Sequence, residues 1–156
     1  MIKKYVSAIL FLALAACSGG EEPTVSAVSA TAPETVNSAA QTSLKDAAGD
    51  TIYFAYDKYS LSDESIAVLD KQAAWLGKNP KAKVIVEGHC DDRGTRKYNQ
   101  ALGERRANAG KRYLVSKGIS TKRITTVSYG KDKPAVTGTA EDAYTKNRRD
   151  VTVVVK

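Results

Sequence analysis

The chain has 156 residues, with 24 Lys and Arg against 17 Asp and Glu for a net charge of +7, and two cysteines. That length suits one ordinary domain with appendages, and two cysteines make neither a disulfide framework nor a four-cysteine zinc site. At 42% hydrophobic and 26% charged residues the balance is globular, and the basic excess invites a nucleic-acid reading that the compartment must decide.

Lys3 and Lys4 precede an apolar run from Tyr5 to Ala16 that closes on small residues before Cys17. This is a secretory signal layout over residues 1–16. The run is shorter than the roughly 20 residues that cross a bilayer core. Leu14-Ala15-Ala16-Cys17 resembles the lipobox of bacterial lipoproteins. That resemblance implies that Cys17 becomes the mature N-terminus and carries N-acyl and S-diacylglycerol groups, palmitate among them. The alternative is a soluble exported protein whose cysteine follows the cleavage site by chance. Three acyl chains would anchor the chain permanently, since two already suffice. In such lipoproteins an Asp after the cysteine favours retention at the inner membrane, so Ser18 points to the outer membrane, facing the periplasm.

Residues 17–46 read as the lipidated Cys17 followed by a flexible linker, rich in Ser, Ala, Thr and Pro without apolar periodicity. The remaining domain, 47–156, holds 21 basic and 13 acidic residues, a net of +8. Thr51 to Tyr56 has the β-branched and aromatic content of a strand. Ser62 or Asp63 then caps a helix with Ile66, Leu69, Ala73 and Leu76 at helical spacing, stopped by Gly77, Asn79 and Pro80. Lys83 to Glu87 is a strand, Gly88 to Arg96 a polar loop, and Tyr98 to Lys117 a second helix ending at Gly118. A strand over Ile124 to Tyr129, a short helix over Glu141 to Asn147 and a strand over Asp150 to Val155 complete the chain. The fold class is α/β: β/α/β/α/β plus a further strand, with helices packed on a mixed sheet in an α+β sandwich.

On a helical wheel Arg106 falls in the middle of the apolar arc formed by Tyr98, Leu102, Ala109 and Leu114. A guanidinium directed into apolar surroundings needs a carboxylate, and the candidate is Asp91, in the loop just past a central strand. Two readings stay open: an Asp–Arg pair tying loop to helix, or a ligand site. A metal site is disfavoured because adjacent His89, Cys90, Asp91 and Asp92 cannot all turn onto one ion. No nucleophile, base and orienting group recur at catalytic spacing, so the chain reads as no enzyme. His89 reads as a packing residue and Cys90 as a lone thiol.

Tyr53-Phe54-Ala55-Tyr56-Asp57-Lys58, Val86-Glu87-Gly88-His89-Cys90-Asp91-Asp92-Arg93-Gly94-Thr95, and Tyr98-Asn99 through Leu102 to Asn108 follow one another in family order. With Val127-Ser128-Tyr129-Gly130, Lys133-Pro134-Ala135 and Tyr144 to Arg149, residues 51–156 resemble the OmpA C-terminal-like peptidoglycan-binding domains, and within them the peptidoglycan-associated lipoproteins of the Tol–Pal system. The resemblance implies no cofactor and a groove for the peptidoglycan stem peptide, where Asp91 and Arg106 contact diaminopimelate. It places Asp57, Asn99 and Leu102 at the same groove, and Arg148 as a structural salt bridge or a ligand contact. A carboxylate beside a guanidinium fork complements a zwitterion. Departures from the family pattern are Tyr56 for Phe, Cys90 for Ala or Thr, and Gly110 for Val, the last costing about 1 kcal/mol of helix propensity.

The implied function is a tether between outer membrane and wall, in envelope integrity and cell division, with TolB and other Tol proteins as partners. The alternative is a wall-anchoring lipoprotein outside the Tol system that acts mainly as a periplasmic interaction module. Export argues against nucleic acid as a partner, although the stretch from Arg93 to Arg112 would suit phosphates.

Overall fold

The computed structural model describes residues 35–156. The signal peptide, Cys17 and the greater part of the expected linker lie outside the described residues. The elements are α1 (Ser38–Ala48), β1 (Thr51–Tyr53), α2 (Asp63–Lys78), β2 (Lys83–His89), α3 (Arg96–Ser116), a 3-10 turn (Thr121–Arg123), β3 (Ile124–Gly130), α4 (Glu141–Asn147) and β4 (Arg149–Val155). The sheet order is β1-β4-β2-β3. β4 runs antiparallel to both β1 and β2, whereas β2 and β3 are parallel and joined by the α3 crossover.

From β1 onward this is the expected β/α/β/α/β arrangement with a further strand. Ser62 caps α2, its hydroxyl accepting from Ser65 N at 3.2 Å, and Thr95 caps α3 by accepting from Tyr98 N. Strand alternation sends Ile52, Val84, Val86, Ile124 and Val154 into one core with Leu69, Leu76 and Leu114 of the helices. Ile85, Val127, Val151 and Val153 on the other face stay half-exposed.

Two expectations are corrected. The linker does not run to residue 46, because α1 occupies Ser38–Ala48 and fully buries Leu44. The reason lies in β1, which is only three residues long and leaves half of β4 unpaired on the edge away from β2. Unpaired strand groups need partners, and α1 with its lead-in supplies them. Val36 bridges Val155, Asn37 N donates to Val154 O, and Gln41 accepts from Val154 N while donating to Thr152 O. The first strand is likewise shorter than Thr51 to Tyr56, because beyond Tyr53 the carbonyls turn toward two arginines described below.

α3 lies unusually close to the sheet. A Cβ at Gly88 would sit 1.9 Å from Gly103 O, and one at Gly103 would sit 2.4 Å from Ser128 Oγ. Two backbones therefore touch where side chains would normally intervene. This seats the next turn of α3, carrying Arg106, against the end of β2. Gly110 is different: a Cβ there would meet Val86 and Asp150 at 3.5 and 3.6 Å, ordinary contact that does not demand glycine.

Candidate functional site

Beyond Tyr53 the chain bends at Asp57, whose φ of 54° is the one positive value at a non-glycine residue among the described residues. Asp tolerates this region better than most residues. The bend presents carbonyls inward. Arg106 donates from Nε to Lys58 O at 2.9 Å, from one terminal nitrogen to His89 O at 2.8 Å, and from the other to Ala55 O at 3.3 Å. Its guanidinium also lies over the Phe54 ring at 5.0 Å. Arg148 donates from Nε to Phe54 O at 3.1 Å and reaches Glu141 at 2.9 Å and Asp91 at 3.4 Å. Two buried arginines thus fasten segment 54–58 to the ends of β2 and β4.

The burial of Arg106 matches the wheel, at 0% exposure. Its partner does not: three main-chain carbonyls hold it, and no ion pair joins it to Asp91. The physical reason is that strand ends leave carbonyl dipoles unpaired, and five guanidinium donors in a rigid fork satisfy several at once. Burial pulls the Arg106 pKa down, while the neighbouring Cys90, Asp150 and Asp91 work the other way.

Asp91 instead pairs with Arg93 at 2.6 Å and more loosely with Arg148. Burial by itself would raise the Asp91 carboxyl, but the hydrogen bonds and charge of Arg93, aided by Arg148, outweigh it and hold the pKa below the ordinary value. Arg93 is held in place by two aromatic rings, with its guanidinium carbon 4.1 Å from the Tyr56 centroid and 4.3 Å from that of Tyr144. Asn99 ties the same loop to α3, donating to Arg93 O at 2.7 Å and Thr95 O at 3.2 Å. Asp57 accepts from the Tyr98 hydroxyl, and this bond raises the tyrosine's pKa.

These groups surround a cavity of about 180 Å³, and Asp57, Asp91, Asn99, Leu102, Arg106 and Arg148 all line it. It therefore gathers two carboxylates and three guanidinium groups around one space, with Leu102 as an apolar patch. Sequence reasoning missed Arg93, Tyr56 and Tyr98 as lining residues, and Tyr144 as the second ring against Arg93. The signal available was Arg93, two residues past Asp91 and followed by Gly94, whose φ of +85° turns the loop back. Cys90 is a wall of the cavity. Burial pushes its thiol up to about 11, and the thiol donates to Asn99 O at 3.4 Å. His89 is buried and its ring packs on Tyr129 at 5.4 Å between centroids. Among the described residues no group of three or more His, Cys, Asp or Glu side chains is placed to hold a metal ion.

The model of the OmpA family matches residues 53–148, which enclose every residue of this cavity. Peptidoglycan-associated lipoproteins of Pasteurella multocida and Haemophilus influenzae are each 54% identical to this chain over 101 residues. The match takes in 65% of this chain in both cases, and 67% and 66% of theirs. A Rhizobium meliloti protein of the same name is 48% identical, with 68% of this chain and 60% of that one covered. The chain thus spans about two thirds or less of the length of these curated relatives. The crystal structure of the peptidoglycan-associated lipoprotein from Burkholderia pseudomallei superposes with a TM-score of 0.66 at 37% identity, covering 67% of this chain and 89% of that one. The C-terminal domain of Helicobacter pylori MotB shares the fold, with a TM-score of 0.64 at 21% identity over 69% of this chain and 84% of that one. On the extent of the family match and the identity of these relatives, the chain belongs to the OmpA family.

Proposed function

We propose that the chain is a lipoprotein that binds peptidoglycan non-covalently and tethers the outer membrane to the wall. The observation that carries this reading is the meeting of Asp57 and Asp91 with Arg106 and Arg148 around one cavity. Diaminopimelate, with a free ammonium and carboxylates, is the wall component that such an array complements. Asp91 and Asp57 take the ammonium, and the guanidinium edge takes a carboxylate in charge-assisted hydrogen bonds. Arg93, now on Asp91, exchanges its contact with the incoming ammonium. The names of the relatives support the wall as ligand and a lipidated N-terminus, for which Cys17 is the candidate. The cavity reads as a binding site, and burial, which keeps the Cys90 thiol protonated, makes that thiol a poor nucleophile. Tol-system proteins, TolB among them, are the proposed partners in envelope integrity and cell division.

With α1 assigned to the domain, the stretch left for the proposed tether is residues 18–34, outside the described residues. The reading is tested by sedimenting the chain with purified sacculi while adding a soluble stem peptide. A peptide containing diaminopimelate should displace the chain, and one with Lys in its place should do so far less. Equal displacement by both would overturn the diaminopimelate assignment.

A further inference from the structure

The cavity lies where β2 ends at His89 and β4 begins at Arg149, whereas the described chain enters at the opposite end of the sheet. There Val36 bridges Val155, Thr35 O accepts from Lys156 N, and Lys83 pairs with Val155. The seven residues of β2 separate the two ends by about 20 Å. The entry end has a distinct chemistry. Lys78, Lys81, Lys83 and Lys122 are all exposed there. No Asp or Glu occurs in 77–83 or 117–123, and among the described residues none of these four lysines has an ion-pair partner. The nearby Lys117 does pair, with Asp70 at 2.7 Å.

The lysines stand on a fixed frame. Arg123 donates to the carbonyls of Leu76, Asn79 and Ala82, at 3.0, 2.8 and 2.9 Å, and so holds the turn between α2 and β2. Beside this turn is a groove of about 670 Å³ with Trp75, Ala82 and Val155 among its apolar lining and Lys78 and Lys81 among its basic lining. An apolar groove bordered by unpaired lysines, at the end from which the chain leads back toward Cys17, the proposed lipid anchor, matches a surface of negative headgroups over hydrocarbon.

We propose that this pole docks on anionic phospholipid headgroups, giving the domain a membrane-resting position with its cavity turned toward the wall. The inference rests on the proposed lipid anchor for its orientation. Attraction of this kind acts only within a Debye length, about 8 Å at physiological ionic strength. The domain is therefore held when close to the membrane and free once the tether carries it outward. Each lysine should contribute on the order of fivefold to the docking equilibrium.

The test uses the full chain on vesicles of phosphatidylcholine, or of phosphatidylcholine and phosphatidylglycerol in equal parts, both with dansyl-labelled headgroups. Energy transfer from Trp75, the single tryptophan of the chain, reports the distance of the pole from the surface. Transfer should rise on the anionic vesicles, fall with added salt, and drop about a hundredfold in apparent equilibrium for the triple variant Lys78→Gln, Lys81→Gln, Lys83→Gln. Equal transfer on both compositions, or an unaffected triple variant, would overturn the proposal. Loss of sacculus binding in the triple variant would also overturn it, by assigning these lysines to the wall. Flotation separates the two readings. A chain that floats on phosphatidylcholine alone supports the anchor, and the pole is then refuted if its energy transfer does not rise with phosphatidylglycerol. One that floats only with phosphatidylglycerol, and not in the triple variant, refutes the anchor and supports the pole.

Discussion

Gly103 and Arg106 lie one turn apart on the same face of α3, yet the seam around the first and the cavity around the second are built from opposite materials. At the seam the helix meets β2 and β3 through the absence of side chains, with Gly103 O where a Cβ of Gly88 would stand. At the cavity the long side chains of Arg106, Arg148 and Arg93 fill the space between strand ends. The seam sets the height of the helix, and that height lets the Arg106 guanidinium reach three carbonyls at once. Arg106 is therefore a structural fastener as well as a candidate ligand group, whereas Asp57 and Asp91 can be altered with less harm to the frame.

The comparison breaks most visibly at the seam. Gly88→Ala puts a methyl 1.9 Å from Gly103 O and 2.7 Å from Gly103 C, and backbone cannot move aside as a side-chain end can. A loss of about 3 kcal/mol or more is expected in denaturant unfolding, with wall binding lost alongside because α3 is displaced. Arg106→Ala should come close behind, at about 2–3 kcal/mol, since it removes the donors of three main-chain carbonyls, that of His89 buried. Loss of sacculus binding in that variant would not by itself identify Arg106 as a ligand group, so stability must be measured on the same sample.

A smaller effect sharpens the contrast between two buried carboxyls. Asp91 is paired, but both oxygens of Asp150 are buried without a hydrogen-bond partner, and burial raises its pKa well above 3.8, against the opposing pull of Arg106. The folded state therefore keeps a proton on Asp150 that the unfolded chain gives up above about pH 4, so this residue lowers stability as pH rises from there toward its raised value. Asp91 has the opposite sign. Its folded pKa is depressed, so its stabilising contribution is present above the ordinary value of 3.8 and lost as pH falls through the depressed one. Asp150→Val should raise neutral-pH stability by roughly 1–2 kcal/mol and flatten the fall of stability as pH rises above about 4. Thermal melts over that rise in pH check both parts.

The elements that were legible in the sequence are those written in side-chain pattern. Val84, Val86 and Val154 alternate as strand residues, Ser62 caps α2, and the wheel placed Arg106 inside. What was not legible depends on groups that leave no pattern. α1 offers one large apolar side chain, Leu44, and is held largely by Gln41 completing a strand edge, so its Ser- and Ala-rich sequence reads as linker. The partners of Arg106 are main-chain carbonyls, which any sequence possesses. The seam rests on glycines, whose role shows only once the opposing backbone is in view. At the cavity, the six residues named from the resemblance do line one space, but the hold of Arg93 on Asp91 came from the loop's geometry.

The central claim, that the Asp91 side of the cavity receives the ammonium of diaminopimelate, is tested most directly by calorimetric titration of a diaminopimelate-containing stem peptide into the chain and into its Asp91→Asn variant. Circular dichroism of the same samples reports folding. Losing a charged hydrogen-bond partner should weaken binding about tenfold to a hundredfold while the variant stays folded. Equal affinity in a folded Asp91→Asn variant would contradict the account.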